Sequence, residues 1–326
     1  MQLSNIKKLK TYYNDLINAD EMLPKKMHIS LPTFAIKAIA SYIIYGTSFS
    51  EFAGYGFYAK KRSEKLTYMT RRHMFSFFDR YNPLELRERI GNKSLAVLYY
   101  AELLNREQYA KREGLEKFIE FSMQYRDLFI KKSVGWGGEG AKKVKVETIE
   151  DAREIWNNMT ADVVAEPVVE NHERIKEIHP QSLNTIKVTV LQTPEGPKIV
   201  TAIVRFGNDT IVDNVHSGGM AAGINIANGI IETPAMDKHF QKYKVHPKTN
   251  RPITGFMIPD WEKVKELAIR AANVTPQLRY TSWDIAVTDS GPVMIEGNWD
   301  AEFYMEQTLY NRGHRKLFTD LLEGRA

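Results

Sequence analysis

The sequence predicts an α+β fold in which a helical front precedes a core of antiparallel strands. Three observations carry this. Apolar spacing of three and four dominates the first 90 or so residues, as in amphipathic helices. From Asp127 onward, β-branched runs bounded by Gly and Pro clusters take over. In the last third, Trp283 to Thr288 and Val293 to Asn298 flank the turn cluster Asp289-Ser290-Gly291-Pro292, which reads as a hairpin. Helices on antiparallel strands argue for α+β, in two lobes.

In chain order, Leu16 to Leu23, Thr33 to Ile44 and Leu84 to Ile90 show helical spacing, with Pro32 and Pro83 where helices would begin. Ser94 to Leu104 continues helically, and Gly114 to Tyr125 forms a further short amphipathic helix. The period then changes. Asp127 to Lys132 is strand-like, Gly135 to Gly140 is a loop, and Lys142 to Val146 is a second strand. Thr148 and Asp151 form a capping box ahead of a helix through Trp156. Val163 to Val169 reads as a buried strand. Thr185 to Gln192 and Lys198 to Phe206 are long strands joined by Pro194-Glu-Gly-Pro, and Trp261 to Ala272 is a helix.

The composition is that of an ordinary globular chain, 43% hydrophobic and 26% charged. Zero cysteines exclude disulfides and thiolate metal sites and fit a reducing compartment. No signal peptide is evident, and the most apolar stretch, Phe34 to Tyr45, carries Lys37 and is too short to span a bilayer. A cytoplasmic location is expected. Lys60, Lys61, Arg62, Lys65, Arg71 and Arg72 cluster among the aromatics Phe57, Tyr58, Tyr68, Phe75, Phe77 and Phe78. Such a pattern suits single-stranded nucleic acid or an anionic membrane, but a solvated basic face on helices with an aromatic core explains it with less. The front is therefore expected to cover the acceptor side of the site and to bind neither nucleic acid nor membrane.

Two features carry chemistry. If the hairpin turn centres on Ser290, Asp284 lies directly opposite Glu296, and Asn298 shares that face. Opposed carboxylates repel, and a divalent cation removes the problem: three oxygen ligands with room for phosphate oxygens is how Mg2+ is held in nucleotide enzymes. The second feature is Gly135-Trp-Gly-Gly-Glu-Gly140, with glycines at 135, 137, 138 and 140. It matches G-x-G-x-x-G, but a strand rather than a helix follows, so a dinucleotide fold is excluded on context. The P-loop also fails, because Ala-Lys follows Gly140. What remains is a glycine loop between antiparallel strands, which either folds over triphosphate, with Lys131 or Lys132 reaching the phosphates, or is a flexible surface hairpin.

Phe129-Ile-Lys-Lys-Ser-Val-Gly-Trp-Gly-Gly-Glu-Gly resembles the phosphate loop of ATP-grasp enzymes, Ala165-Glu-Pro-Val-Val resembles their hinge strand, and Asp284, Glu296 and Asn298 match their metal ligands. Asp213-Asn-Val-His-Ser-Gly-Gly-Met-Ala is similar to a segment of the glutamate ligases that extend ribosomal proteins. Ser182-Leu-Asn-Thr-Ile-Lys-Val, His246-Pro-Lys-Thr, Trp283-Asp and Ile295-Glu-Gly-Asn most resemble the sugar-transfer-associated branch of the superfamily. The resemblance implies an ATP-grasp fold, with residues 1–91 as a helical region, 92–165 as a first lobe and 166–326 as a second. Two residues depart from the pattern: Lys132 replaces the usual proline, and Lys187 stands where an arginine is usual, losing a bidentate fork.

The resemblance further implies ATP and Mg2+, with Mn2+ as a substitute. It implies a ligase that activates a carboxylate as an acyl phosphate for attack by an amine, in cell-surface polysaccharide or secondary-metabolite synthesis. A phosphotransferase using the same site is the alternative. Lys131 (or Lys132) and the loop glycines would hold phosphate. Glu166, Val168 and Asn184 would meet the nucleotide, with Glu166 at the adenine edge. Lys187 and Arg205 would face the γ-phosphate or acyl phosphate, Asn214 and His216 would serve catalysis, and Gly218-Gly219 would lend N–H groups to the intermediate. His246 and Trp261 would shape the acceptor pocket, and Trp299 and Asp300 would do likewise or simply close the core.

Overall fold

The computed structural model describes residues 3–18, 29–135, 141–159, 162–208 and 212–325. Its front is helical as predicted: α1 (Leu3–Asn18), α2 (Leu31–Tyr45), α3 (Phe49–Gly54), α4 (Arg62–Lys65), α5 (Arg71–Tyr81), α6 (Leu84–Gly91) and α7 (Lys93–Tyr99). Residues 19–23 of the predicted first helix lie outside the described residues. Local chemistry sets the boundaries. Ser30 caps α2 with Pro32 in its first turn, and Gly46 ends it at a φ of 68°. A Ser48–Glu51 capping box opens α3. Asn92 ends α6 and caps α7. The interior between these helices is aromatic: Phe34, Phe52, Tyr55, Phe57 and Tyr68 are buried together, with Phe34 and Phe52 ring centroids 5.0 Å apart.

A four-stranded antiparallel sheet follows, built from β1 (Tyr109–Ala110), β2 (Asp127–Lys132), β3 (Lys142–Lys145) and β4 (Val163–Pro167) in the order β1-β4-β2-β3. α8 (Leu115–Tyr125) and α9 (Ile149–Asn157) cover one face, where Phe118, Phe121, Leu128, Ile130, Ala152 and Ala165 are buried. The Thr148–Asp151 capping box forms as predicted. Strand alternation turns Phe129 and Lys131 to the opposite face. Glu166 and Pro167 pair with Phe129 and Leu128, so β4 lies wholly in this sheet, two residues past the expected lobe boundary.

The second sheet comprises β5 (Ile186–Thr193), β6 (Gly196–Phe206), β7 (Met220–Gly223), β8 (Ala235–Asp237), β9 (Lys242–Tyr243), β10 (Tyr280–Thr288) and β11 (Gly291–Asn298) in the order β11-β10-β5-β6-β7-β8-β9, antiparallel throughout. A short α10 (Glu173–Lys176) precedes β5, α11 (Trp261–Val274) precedes β10, and α12 (Tyr304–Leu309) and α13 (Arg315–Leu322) end the chain. One sheet face is apolar: Ile186, Val188, Ala202, Val204, Trp283 and Ile285 pack on Val264, Leu267, Ala268 and Ala271 of α11. Each such large side chain, fully buried, contributes roughly 1.5–3 kcal/mol of transfer free energy. The residues between them, Lys187, Arg205 and Asp284, are forced to the other face, which α12 partly covers.

Candidate nucleotide and metal site

The hairpin forms, but with a different turn from the one predicted. Thr288 pairs with Gly291 around a two-residue Asp289-Ser290 turn, which in a regular ladder would place Ile295 opposite Asp284. A β-bulge inserts one residue: Ile285 pairs with Met294, and Asp284 with Glu296. The consequence is large, because a one-residue slip flips every later side chain to the other face. Met294 remains in the core, while Glu296 and Asn298 join the polar face. The predicted pairing is right, and its cause is the bulge rather than a turn centred on Ser290.

Across this face, Glu296, Asp284 and Lys187 stand in one row over β11, β10 and β5. Asp284 is 4% exposed. Its Oδ2 accepts from Arg205 Nη2 at 2.7 Å, while its Oδ1 is buried with no partner among the described residues. Arg205 also donates to Thr185 Oγ1 at 2.6 Å and lies 3.5 Å from Asp213 Oδ2. Burial works against the guanidinium charge, but Asp213 and Asp284 outweigh it and raise its pKa further. Lys187 Nζ is 3.6 Å from Glu306 Oε1 of α12, a carboxylate that is itself buried.

A second cluster lies where the two sheets meet. Lys131 is buried, and its Nζ donates to Glu166 Oε1 at 2.8 Å. The other Glu166 oxygen accepts from Arg106 Nη2 at 2.5 Å and from Gln108 Nε2 at 2.9 Å. Burial pushes the Glu166 carboxyl up, but Lys131 and Arg106 more than offset it and hold its pKa below the usual carboxylate range. Both cations also reach the bulge: Lys131 and Arg106 each donate to the Ile295 carbonyl at 3.4 Å, and Arg106 donates to the Met294 carbonyl. Lys93 Nζ lies 3.7 Å from Glu296 Oε2 and donates to the Gly135 carbonyl at 3.4 Å. Lys93, Lys131, Gln108, Trp283, Met294 and Glu296 line a narrow, partly open cleft.

Some of the expected site residues face the cleft and others are committed elsewhere. Lys132 is exposed, so Lys131 is the lysine turned inward. The Glu166 carboxylate is spent on Lys131 and Arg106 rather than presented to an adenine edge. The Asn184 amide is buried, donating to the His179 carbonyl and accepting from Ser182 Oγ, so it holds a loop rather than a nucleotide. The Val168 N–H donates to the Asp127 carbonyl. Asn214 Oδ1 accepts from the His216 N–H and caps a short turn, on which His216 is exposed. The Gly218 and Gly219 N–H groups close that same turn on Val215 and Asn214, leaving neither for an oxyanion. His246 is fully buried with Nε2 on the Gly207 carbonyl, and Trp261 is a core residue donating to the Ile226 carbonyl. Trp299 stacks on Arg87, 4.5 Å from its guanidinium. Asp300 is half-buried, and burial pushes its carboxyl up to about 6. Gly137, Gly138 and Gly140 lie outside the described residues.

Sequence reasoning missed Lys93, Arg106 and Gln108. Lys93 left a signal: a lysine in the first turn of a helix opposes the helix dipole and calls for an anion nearby. Arg106 and Gln108 sit in an irregular stretch with no periodicity, and their partner Glu166 is about 60 residues away.

Among the described residues, no group of three or more His, Cys, Asp or Glu side chains is gathered to hold a metal; the proposed trio is two carboxylates and an amide. The donor set nevertheless fits a divalent cation, because a buried Asp284 oxygen lacks a partner beside Glu296.

A family described as sugar-transfer associated ATP-grasp matches residues 154–321. No curated protein matches the chain. Among solved structures, the ATP-grasp ligase PsnB complexed with minimal precursor, Mg and ADP is 17% identical with a TM-score of 0.46, covering 75% of this chain and 61% of its own. D-alanyl-alanine synthetase A from Vibrio cholerae is 15% identical, with a TM-score of 0.43 over 73% of this chain and 65% of its own. D-cycloserine synthetase DcsG is 13% identical, with a TM-score of 0.45 over 78% and 80%. The chain thus spans about three fifths of the length of PsnB.

Proposed function

Because this chain belongs to the sugar-transfer associated ATP-grasp family, we propose that it is an ATP- and Mg2+-dependent ligase joining a carboxylate to an amine. The observation that carries the reading is the buried, half-satisfied Asp284 opposite Glu296, beside a cleft lined by Lys93 and Lys131. Asp284, Glu296 and Asn298 would hold Mg2+, which when bound offsets phosphate charge. Lys93 and Lys131 bind phosphate oxygens in the cleft. Arg205, fixed by Thr185 and Asp213, orients Asp284 and keeps its Oδ1 turned to the metal side. Lys187, held against Glu306, places a cation one strand away, where an acyl phosphate would gain charge. Positioning and charge neutralisation supply most of the catalysis in such a site. The association with sugar transfer supports a role in cell-surface polysaccharide or secondary-metabolite synthesis.

Product analysis tests the reaction. With candidate carboxylates and amines, a ligase yields ADP, inorganic phosphate and a new amide mass. ADP and a phosphorylated hydroxyl, without phosphate release, would instead identify a phosphotransferase. Glu296→Gln is expected to abolish turnover, and activity within a few fold of wild type would remove the metal assignment.

A further inference from the structure

We propose that the outward face of α2, rimmed by basic side chains, docks the protein on an anionic bilayer surface. This goes beyond the nucleotide site and does not depend on it. α2 turns Phe34, Ala38 and Ser41 inward at helical spacing. Half a turn away, the outer face carries Pro32, Ile36, Ile39 and Ile43 where a water-facing helix places polar residues. Ile36 is 68% exposed and Ile43 64%, and the patch continues through Tyr42 and Ile44. Arg72 of α5 donates to the carbonyls of Tyr42, Ile43 and Ile44. That contact fixes the start of α5 at the end of α2 and sets exposed Phe75 one turn further on. A lone exposed isoleucine is ordinary, but a contiguous row marks an interaction surface.

The charges around the row select the partner. Residues 29–78 hold Lys37, Lys60, Lys61, Arg62, Lys65, Arg71 and Arg72 against only Glu51 and Glu64. Glu51 is drawn inward, accepting from the Ser48 and Arg71 N–H groups. Lys37 donates to the Tyr58 carbonyl, and Lys65 lies 5.6 Å from the Tyr45 ring centroid, so both flank α2. An apolar helix face bordered by cations suits immersion at the headgroup boundary of an anionic membrane. A second copy of the chain would set these cations against one another, which disfavours self-association. No described helix is long and apolar enough to cross a membrane, so α2 would lie in the plane of the surface. This proposal departs from the expectation of a front that binds no membrane, because the helix turns its isoleucine row outward among the basic residues.

Sedimentation of the full chain with phosphatidylcholine vesicles, with and without phosphatidylglycerol, tests this. Binding is expected with phosphatidylglycerol, weakening as salt rises. Ile36→Ser combined with Ile43→Ser should lower partitioning by about tenfold or more. Lys37→Gln with Arg71→Gln should remove the preference for phosphatidylglycerol. All four positions are exposed, and an unchanged thermal melt would confirm folding. Failure of the wild type to bind, or binding indifferent to the isoleucine changes, overturns the proposal. So does a wild-type dimer, lost in the isoleucine variant, that ignores vesicles.

Discussion

Replacing Lys131 with methionine separates the two adjacent lysines. Its Nζ lies 2.8 Å from Glu166 Oε1, and the two side chains are only 10% and 6% exposed, so solvent screens the pair little. At that distance and an effective dielectric of about 20, the Coulomb attraction is roughly 6 kcal/mol. Desolvation offsets much of it, yet removing one partner of a buried pair typically costs about 3–5 kcal/mol, because a charge is left uncompensated. Arg106 still holds the other Glu166 oxygen, which places the expected loss at the low end, about 3 kcal/mol in urea unfolding. Lys132→Met, at an exposed position, should stay within about 0.5 kcal/mol. Combining Lys131→Met with Glu166→Gln removes both charges, so the double variant should lose about 1–3 kcal/mol less than the sum of the singles. Calorimetric titration with ATP and Mg2+ reads the cleft itself: Lys131→Met should lose about tenfold or more in affinity, and Lys132→Met very little. Equal effects from the two lysines, or strict additivity with Glu166→Gln, would refute the pairing.

Lys93→Met should weaken nucleotide binding in the same titration while leaving the melting temperature nearly unchanged, since its contact with Glu296 is long at 3.7 Å. A large stability loss would make Lys93 structural instead. In Gly219→Ala, a Cβ would stand 2.3 Å from the Asp213 carbonyl oxygen, a backbone atom that cannot easily yield. A loss of about 1–3 kcal/mol is expected, measured by denaturation, with weaker anchoring of Arg205 through Asp213. Burial raises the Glu51 pKa from 4.5 to about 7. The fold therefore favours the protonated acid, and the stability present below pH 4.5 is lost as pH rises toward 7. The loss is about 3 kcal/mol at 1.4 kcal/mol per unit. Glu51→Gln should flatten that slope in urea titrations across the same window, and an unaltered slope would place the ionisation elsewhere.

The sequence by itself determined what short-range chemistry controls. The helical front, the Thr148–Asp151 capping box, the long strands β5 and β6 and the closing hairpin follow from periodicity, caps and turn residues that act within a few positions. So did the inward turn of one lysine at 131 or 132, because alternation on a strand is local; the Asp284–Glu296 pairing, by contrast, depends on the bulge. Only the tertiary structure decided which polar groups are spent and which remain available. Asn184, His246 and Gly219 carry motif-like residue types, yet each is absorbed by a partner that nothing in its own neighbourhood announces. A bulge, too, is invisible in a single sequence. Ile295 looks like any strand residue, yet its insertion turns Glu296 out of the core and offers a carbonyl to Lys131 and Arg106. Those two cations come from separate stretches of chain and meet on Glu166, because a buried carboxylate must be paired wherever partners can be found.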